Sequence, residues 1–341
     1  MKKRASIVIA NETIKAGQSR CVKLSLAMLY TSTPIEIPVY VFHGKKEGPV
    51  LFVTAAIHGD EINGVEIIRR VHHAPQLKRL RGTLITIPIV NVYGFFLHSR
   101  YLPDRRDLNR QFPGREKGSM ASKLANLIMT EIVEHSTHGI DLHTGAIHRS
   151  NYPQTRFSHQ CEQSAVLAEA FGAPIMVAAN MRDGSLREAT DNMDIPMIIY
   201  EGGEALRFDE LAIRIGVRGV LNVMTFLQMF SPSQSKMRKR RKRKDEISTI
   251  AESTFWVRAS ESGVLINCKS LGEKVSKGEL LCTIVDPLGD NEIKVKSPCA
   301  GVIIGKTNIP LVNEGDAIFH IALFEDLRNL QLPDDDLDDW D

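Results

Sequence analysis

The stretch that decides the fold is VLFVTAAI (Val50–Ile57), followed at once by His58-Gly59-Asp60-Glu61 and then by Ile62, Val65, Ile68 and Val71. A continuous apolar run of this length suits a strand buried on both faces. The apolar residues after it recur at helical spacing, so the unit reads as strand, polar turn, helix. Working outward, Leu84–Val90 (LITIPIV) is a second buried strand, Ala121–Val133 an amphipathic helix, and Ile140–Leu142 a short strand. Ile195–Tyr200 is another strand, followed by a long helical stretch from about Phe208 to Phe230. Alternation of this kind predicts an α/β fold, a mixed and mostly parallel sheet with helices on both faces. Ligands of such sheets gather at the carboxyl ends of the strands.

The 341 residues are 43% hydrophobic and 25% charged, as ordinary globular proteins are. The 43 Lys+Arg against 41 Asp+Glu disfavour a dedicated nucleic-acid binder. The near balance conceals two blocks: Lys236–Lys244 holds eight basic residues among nine, and Asp334–Asp341 holds six Asp. Five scattered cysteines, Cys21, Cys161, Cys268, Cys282 and Cys299, argue against a disulfide framework or a thiolate metal site. Ile7–Ala10 is too short for a signal-peptide core, and no apolar run spans a bilayer. These features lead to the expectation of a cytoplasmic protein with no membrane partner.

Ser231–Ser248 lacks the apolar residues needed to order itself and reads as a basic linker. Beyond it lies an internal repeat. Gly263-Val-Leu-Ile, Val275-x-x-Gly278 and Leu280–Ile284 match Gly301-Val-Ile-Ile, Val312-x-x-Gly315 and Ala317–Ile321. Two half-units that cannot close a core alone imply a small two-fold β structure. The repeat resembles the lipoyl/biotinyl-type barrel-sandwich, yet Gly289-Asp290 stands where a carrier of that family has its modified Lys. A structural cap or lid is the simpler reading. The expected domains are therefore residues 1–230 (an N-terminal region and the α/β domain), the basic linker 231–248, the all-β barrel-sandwich 249–326, and the acidic tail 327–341.

Four short motifs carry chemistry. His58, at a strand end, and Glu61, in the first turn of the following helix, are both zinc ligand types and can face a common point. His143, at the end of another strand, should emerge on the same edge, giving the two-His, one-carboxylate set of hydrolytic zinc sites. Asp141, two residues before it on the same strand face, could orient its imidazole. Glu201, between the strand Ile195–Tyr200 and two glycines, is a natural general base for a metal-activated water. The long loop Tyr93–Gly114 carries Arg100, Arg105, Arg106, Asn109 and Arg110, and such loops are often functional. His72-His73, at a helix end, reads as an imidazolium favoured by the dipole rather than a ligand.

Together, His58-x-x-Glu61, Asp107-Leu-Asn-Arg110, Asp141-Leu-His143 and Glu201 occur in the order found in the succinylglutamate desuccinylase/aspartoacylase family, and the chain resembles that branch of the zinc carboxypeptidase-like fold from His58 to about Glu204. The resemblance implies one zinc ion per subunit, held by His58, Glu61 and His143. It further implies that Glu201 activates water, that Arg100 stabilises the developing oxyanion, and that Asn109 and Arg110 bind a substrate carboxylate, with Arg187 a further ligand. The implied activity is hydrolysis of a small anionic N-acyl amino acid. Two alternatives stand beside it: a zinc carboxypeptidase acting on peptide C-termini, and, in another class, an RNA or other anionic-polymer binder using Lys236–Lys244. Assembly into a homo-oligomer is left open.

Overall fold

The computed structural model describes residues 4–230 and 249–325; the basic run Lys236–Lys244 and the acidic tail lie outside the described residues. The chain opens with a small hairpin, β1 (Ile7–Ile9) and β2 (Glu12–Ile14), and a long antiparallel pair, β3 (Gln18–Met28) and β4 (Pro34–His43). The unit read first in the sequence follows as β5 (Lys46–Ala55), α1 (Asn63–His72) and β6 (Arg81–Ile87). A short α2 (Val92–Phe96) opens the arginine-bearing loop, and α3 (Met120–Glu131) leads to β7 (His138–Gly145) and β8 (Arg149–Phe157). Then come α4 (Glu162–Phe171), β9 (Ile175–Ala178), α5 (Leu186–Asp191), β10 (Met197–Glu204) and α6 (Glu210–Phe226).

The strands join one mixed sheet whose centre, β10-β7-β5-β6, is parallel throughout. Antiparallel strands β4 and β3 extend it on one side and β8 on the other. The face bearing Leu51, Val53 and Ala55 packs against α1, α4 and α6 through residues such as Ile67, Leu167 and Val220, all buried. Phe52 on the opposite face joins α3 and α5 through Leu124, Ile128 and Leu186. Successive side chains of β5 thus enter two cores, which is why its sequence is apolar without alternation. The chain leaves β5 toward β6 on one side, while β7 lies on its other side. This reversal opens a crevice at the carboxyl ends of β5 and β7.

The C-terminal strands are β11 (Thr249–Ala251), β12 (Ser253–Arg258), β13 (Gly263–Ile266), β14 (Lys274–Val275), β15 (Leu280–Val285), β16 (Glu292–Lys296), β17 (Gly301–Thr307), β18 (Leu311–Val312) and β19 (Ala317–Leu323). The repeat is realised by exchange: β14 of the first half pairs with β17 of the second, and β18 of the second pairs with β13 of the first. Gly278 and Gly315 occupy equivalent turns at φ 84° and 85°, which a side chain at Cβ would strain. In the hairpin between the halves, the Asp286 carboxylate accepts the amides of Leu288, Gly289, Asp290 and Asn291. No Lys falls within that turn, so the carrier chemistry lacks its attachment point.

The boundary expected at residue 249 differs in one respect. β11 adds to β9 of the first unit in parallel, Ile250 opposite Met176, and β17 pairs with β8, Gly305 opposite Asn151. The β unit therefore continues the large sheet instead of hanging from it. Its ladder hydrogen bonds fix its position beside β8, one strand away from β10.

Candidate active site

His58 follows the end of β5, where Ala56 takes a positive φ of 51° that turns the chain off the sheet. Glu61 precedes α1, whose first residue is Asn63, so it belongs to the turn and not to the first helical turn expected from sequence. Gly59 between them permits this path: a Cβ there would lie 2.0 Å from the carbonyl carbon of Gly94 and 2.1 Å from the amide nitrogen of Phe95. His143 lies within β7, next to β5 in the sheet.

The three side chains converge. His58 Nδ1 lies 2.7 Å from Glu61 Oε1, and His143 Nδ1 lies 2.8 Å from Glu61 Oε2. Their ligand atoms all fall within 4.8 Å of one another, and all three residues are buried. Each imidazole presents its other nitrogen to a second carboxylate: His58 Nε2 to Asp107 Oδ1 at 3.2 Å, and His143 Nε2 to Asp141 Oδ2 at 2.6 Å. Asp141 is itself held by Thr54 Oγ1 at 2.8 Å. A carboxylate behind each imidazole is how metal-binding histidines are oriented and made better donors. Nitrogen and oxygen donors without a thiolate fit zinc, and the donor set therefore fits such an ion.

The electrostatics agree. Burial opposes charge on both imidazoles, but Glu61 and Asp107 raise the pKa of His58, and Asp141 and Glu61 raise that of His143 well above its ordinary value. Glu61 is held well below the usual carboxylate range by His58 and His143 against the cost of its burial. Three carboxylates around two imidazoles hold positive charge at this point, which suits a divalent cation bound in place of the imidazole protons.

Arg100 lies beside it. Its Nη1 is 3.3 Å from Glu61 Oε1, and Nη2 is 3.0 Å from Asp107 Oδ2. Glu201 lies inside β10 rather than after it, in register with His143 on the adjacent parallel strand, so the two occupy neighbouring places at the same end of the sheet. A bulge follows at Gly202-Gly203, where Asn63 Nδ2 donates to Gly202 O at 3.1 Å. The Glu201 carboxylate accepts from Asn151 Nδ2 and lies 3.2 Å from Arg156 Nε.

Of the residues expected to bind a substrate carboxylate, Asn109 is buried and accepts the amide of Leu186 at 2.9 Å, tying the loop to the start of α5. Arg187 is buried on α5, with Nη1 and Nη2 donating to Phe157 O and Asn180 O. Arg110 is exposed and donates to Asn109 O. His72 corrects its expectation: it packs against Tyr40 and Phe42, and burial first, then His73, lowers its pKa to about 4, so it is neutral near pH 7.

Asp107, Asn151 and Arg156 were not singled out as individual site residues from sequence. Asp107 is 49 residues from the imidazole it orients, and a loop aspartate carries no periodic signal. Asn151 and Arg156 lie on β8, whose sequence RSNYPQTRF is polar and contains Pro, so it gives no strand signal.

The sequence model of the succinylglutamate desuccinylase/aspartoacylase catalytic domain matches residues 47–227, more than half of the chain. The chain is 25% identical over 299 residues to N-alpha-acetyl-L-2,4-diaminobutyric acid deacetylase of Halomonas elongata, covering 84% of this chain and 86% of that protein. The fold is shared with a succinylglutamate desuccinylase/aspartoacylase of Rhodobacter sphaeroides (TM-score 0.79, 23% identity, 91% of this chain and 95% of the other). It is shared also with the product-bound ectoine utilization protein EutE (DoeB) of Ruegeria pomeroyi (TM-score 0.78, 22% identity, 89% and 95%). A match spanning β5 to α6, the elements that carry His58, Glu61, His143 and Glu201, places this chain in the succinylglutamate desuccinylase/aspartoacylase family.

Proposed function

We propose that the protein is a zinc-dependent deacylase of N-acyl amino acids, cleaving a linear amide in a small carboxylate-bearing substrate. The observation that carries the reading is the convergence of His58, Glu61 and His143, each imidazole backed by its own carboxylate, with Glu201 in register on the next strand. Bound zinc would polarise the acyl carbonyl and lower the pKa of a water toward about 7. Glu201 takes a proton from the attacking water and hands it to the departing nitrogen, so that the C–N bond breaks to a carboxylate and an amine. Asn151 and Arg156 hold the Glu201 carboxylate in orientation. Arg100 offsets negative charge developing on the carbonyl oxygen.

The acetylated diaminobutyrate named for the Halomonas relative belongs to this substrate class and is a natural first candidate. A small substrate rather than a peptide is supported by the β unit beside the site: Asn308 Nδ2 donates to Glu204 Oε2 at 2.7 Å, three residues beyond Glu201.

The test is hydrolysis by zinc-loaded protein of N-acetyl-L-2,4-diaminobutyrate, N-acetyl-L-aspartate, N-succinyl-L-glutamate and short peptides, each against Glu201→Gln. Turnover of at least one acylated amino acid is expected, with Glu201→Gln slower by about 10²- to 10⁴-fold, as for loss of a general base. Release of C-terminal residues from peptides alone would establish the carboxypeptidase alternative. Undiminished turnover by the variant would remove Glu201 from the chemistry.

A further inference from the structure

The hydrogen bonds of three arginines distinguish the one that remains available to a ligand. Arg187 commits both terminal nitrogens to backbone carbonyls, at 3.3 Å and 2.7 Å, which leaves only its buried Nε without a partner, and Arg110 is exposed and turned onto its neighbour's carbonyl. Arg156 differs. Its Nε lies 3.2 Å from Glu201 Oε1 but without hydrogen-bond alignment, and among the described residues neither Nη has a hydrogen-bond partner. The side chain is 21% exposed, so it is reachable from the site while mostly removed from water.

The charges around it do not balance. Arg187 has its pKa lowered to about 10, by burial first and then by Arg156. Among the described residues, Glu201 is the carboxylate ion-paired with Arg156. With Arg182 on the same side and Glu201 and Asp191 opposing, three guanidinium groups face two carboxylates, and the uncompensated positive charge in a poorly hydrated place favours a further anion. His320, reaching in from β19, points the same way. It is 3% exposed with neither ring nitrogen hydrogen-bonded, and burial, then Arg156, keeps it neutral with a pKa of about 3. Buried polar atoms are matched in nearly all proteins, and such orphans call for polar atoms of a ligand or its water. His320 stacks on Trp256 at 4.2 Å and stands opposite Gly305 in the ladder, where a Cβ would lie 3.1 Å from His320 Cβ and 3.2 Å from Asn151 Oδ1.

We propose that Arg156 is a specificity-determining residue whose unpartnered Nη pair takes a free carboxylate of the substrate, in a subsite walled by His320 of the C-terminal β unit. That the carboxylate belongs to the substrate rests on the deacylase reading; that the subsite takes a carboxylate does not. Guanidinium suits the role because its planar fork meets both oxygens of a carboxylate.

Products serve as probes because they are not turned over. L-2,4-diaminobutyrate, L-glutamate and succinate are titrated calorimetrically into the zinc-loaded protein, alongside the α-amides of the two amino acids and succinamide. The amino-acid and succinate arms distinguish a carboxylate on the amine product from one on the acyl product. At least one acid is expected to bind, and its amide to bind roughly 30-fold more weakly, the worth of a charge-assisted contact. Arg156→Gln should weaken that acid by the same factor and leave the amide unchanged, and Arg156→Lys should fall between them. Thermal unfolding of both variants checks that they fold. Equal binding of the acid by wild type and by both variants overturns the proposal, as does equal loss of acid and amide, which is what a purely positioning role toward Glu201 would give. Failure of the wild type to bind any of the acids overturns it as well. Hydrolysis of the acylated panel with acid binding independent of Arg156 would leave the deacylase reading standing, and Arg156-dependent binding without hydrolysis would refute that reading alone.

Discussion

Asp141→Asn tests the site with little change in shape. Asp141 is fully buried, with Oδ1 accepting from Thr54 at 2.8 Å and Oδ2 facing His143 Nε2 at 2.6 Å. Asparagine keeps the volume and can keep one acceptor, so the principal loss is the negative charge that, with Glu61, raises the basicity of His143 against burial. A less basic imidazole is a weaker ligand. Changes of this kind cost metal affinity roughly 10- to 100-fold, about 1.4 to 2.7 kcal/mol. The assay is competition for zinc with a chromogenic chelator near neutral pH, with His143→Ala as the reference for losing a ligand outright. Thr54→Val should move affinity in the same direction by less, because it frees Asp141 without discharging it. Unchanged zinc affinity in Asp141→Asn, with His143→Ala impaired, would refute the carboxylate's part in the site; unchanged affinity in both would refute the ligand set.

Gly59→Ala should be among the most damaging small substitutions, because its Cβ would collide with backbone atoms of Gly94 and Phe95 and no flexible side chain is there to yield. A loss of about 1 to 3 kcal/mol or more is expected, together with loss of zinc, and wild-type melting and metal content would contradict this. The pH dependence of stability has a definite sign for His72 and His320, whose pKa values are lowered to about 4 and about 3. Below about pH 6.5 the unfolded chain takes up their protons first, so these groups favour the fold above that value and lose their contribution as pH falls toward 3 to 4. His58 and His143, raised in the metal-free protein, contribute oppositely. Comparison with His320→Phe isolates one group: urea unfolding should depend less steeply on pH in the variant, and equal slopes would show that His320 does not titrate as described.

The legible parts of this protein are those where one residue type repeats for one physical reason. Leu51, Phe52 and Val53 enter cores on both faces of the sheet, so β5 is apolar throughout, and the ends of such runs mark where polar residues must be ligands or turns. His58, Glu61 and His143 were found that way. Asn151 and Arg156 were not, because β8 borders the polar site and its sequence follows the ligand chemistry rather than the strand period. The long strands β3 and β4 escaped for another reason. β3 lies at the edge of the sheet and exposes most of its side chains, so its few core contacts, Val22 and Leu24, do not make an apolar run. Geometry set by contacts distant in sequence, such as Asp107 behind His58, leaves no local trace.

The C-terminal unit bears on the chemistry through β8. That strand pairs with β10 on one side and β17 on the other, and Asn151 stands opposite Gly203 in the first pairing and Gly305 in the second. The side chain that donates to Glu201 is therefore carried by the strand that joins the two units. Gly305 leaves room for Asn151 and for His320, so the orientation of Glu201 and the wall beside Arg156 depend on one narrow approach of backbone. A cap attached only by loops could shift without consequence for the carboxylate. A cap joined by ladder hydrogen bonds to the strand next to Glu201 cannot, because displacing β17 moves Asn151 with it. The unit is thus part of what orients the acid-base group, and its lack of a carrier lysine is consistent with a repeat retained for its shape.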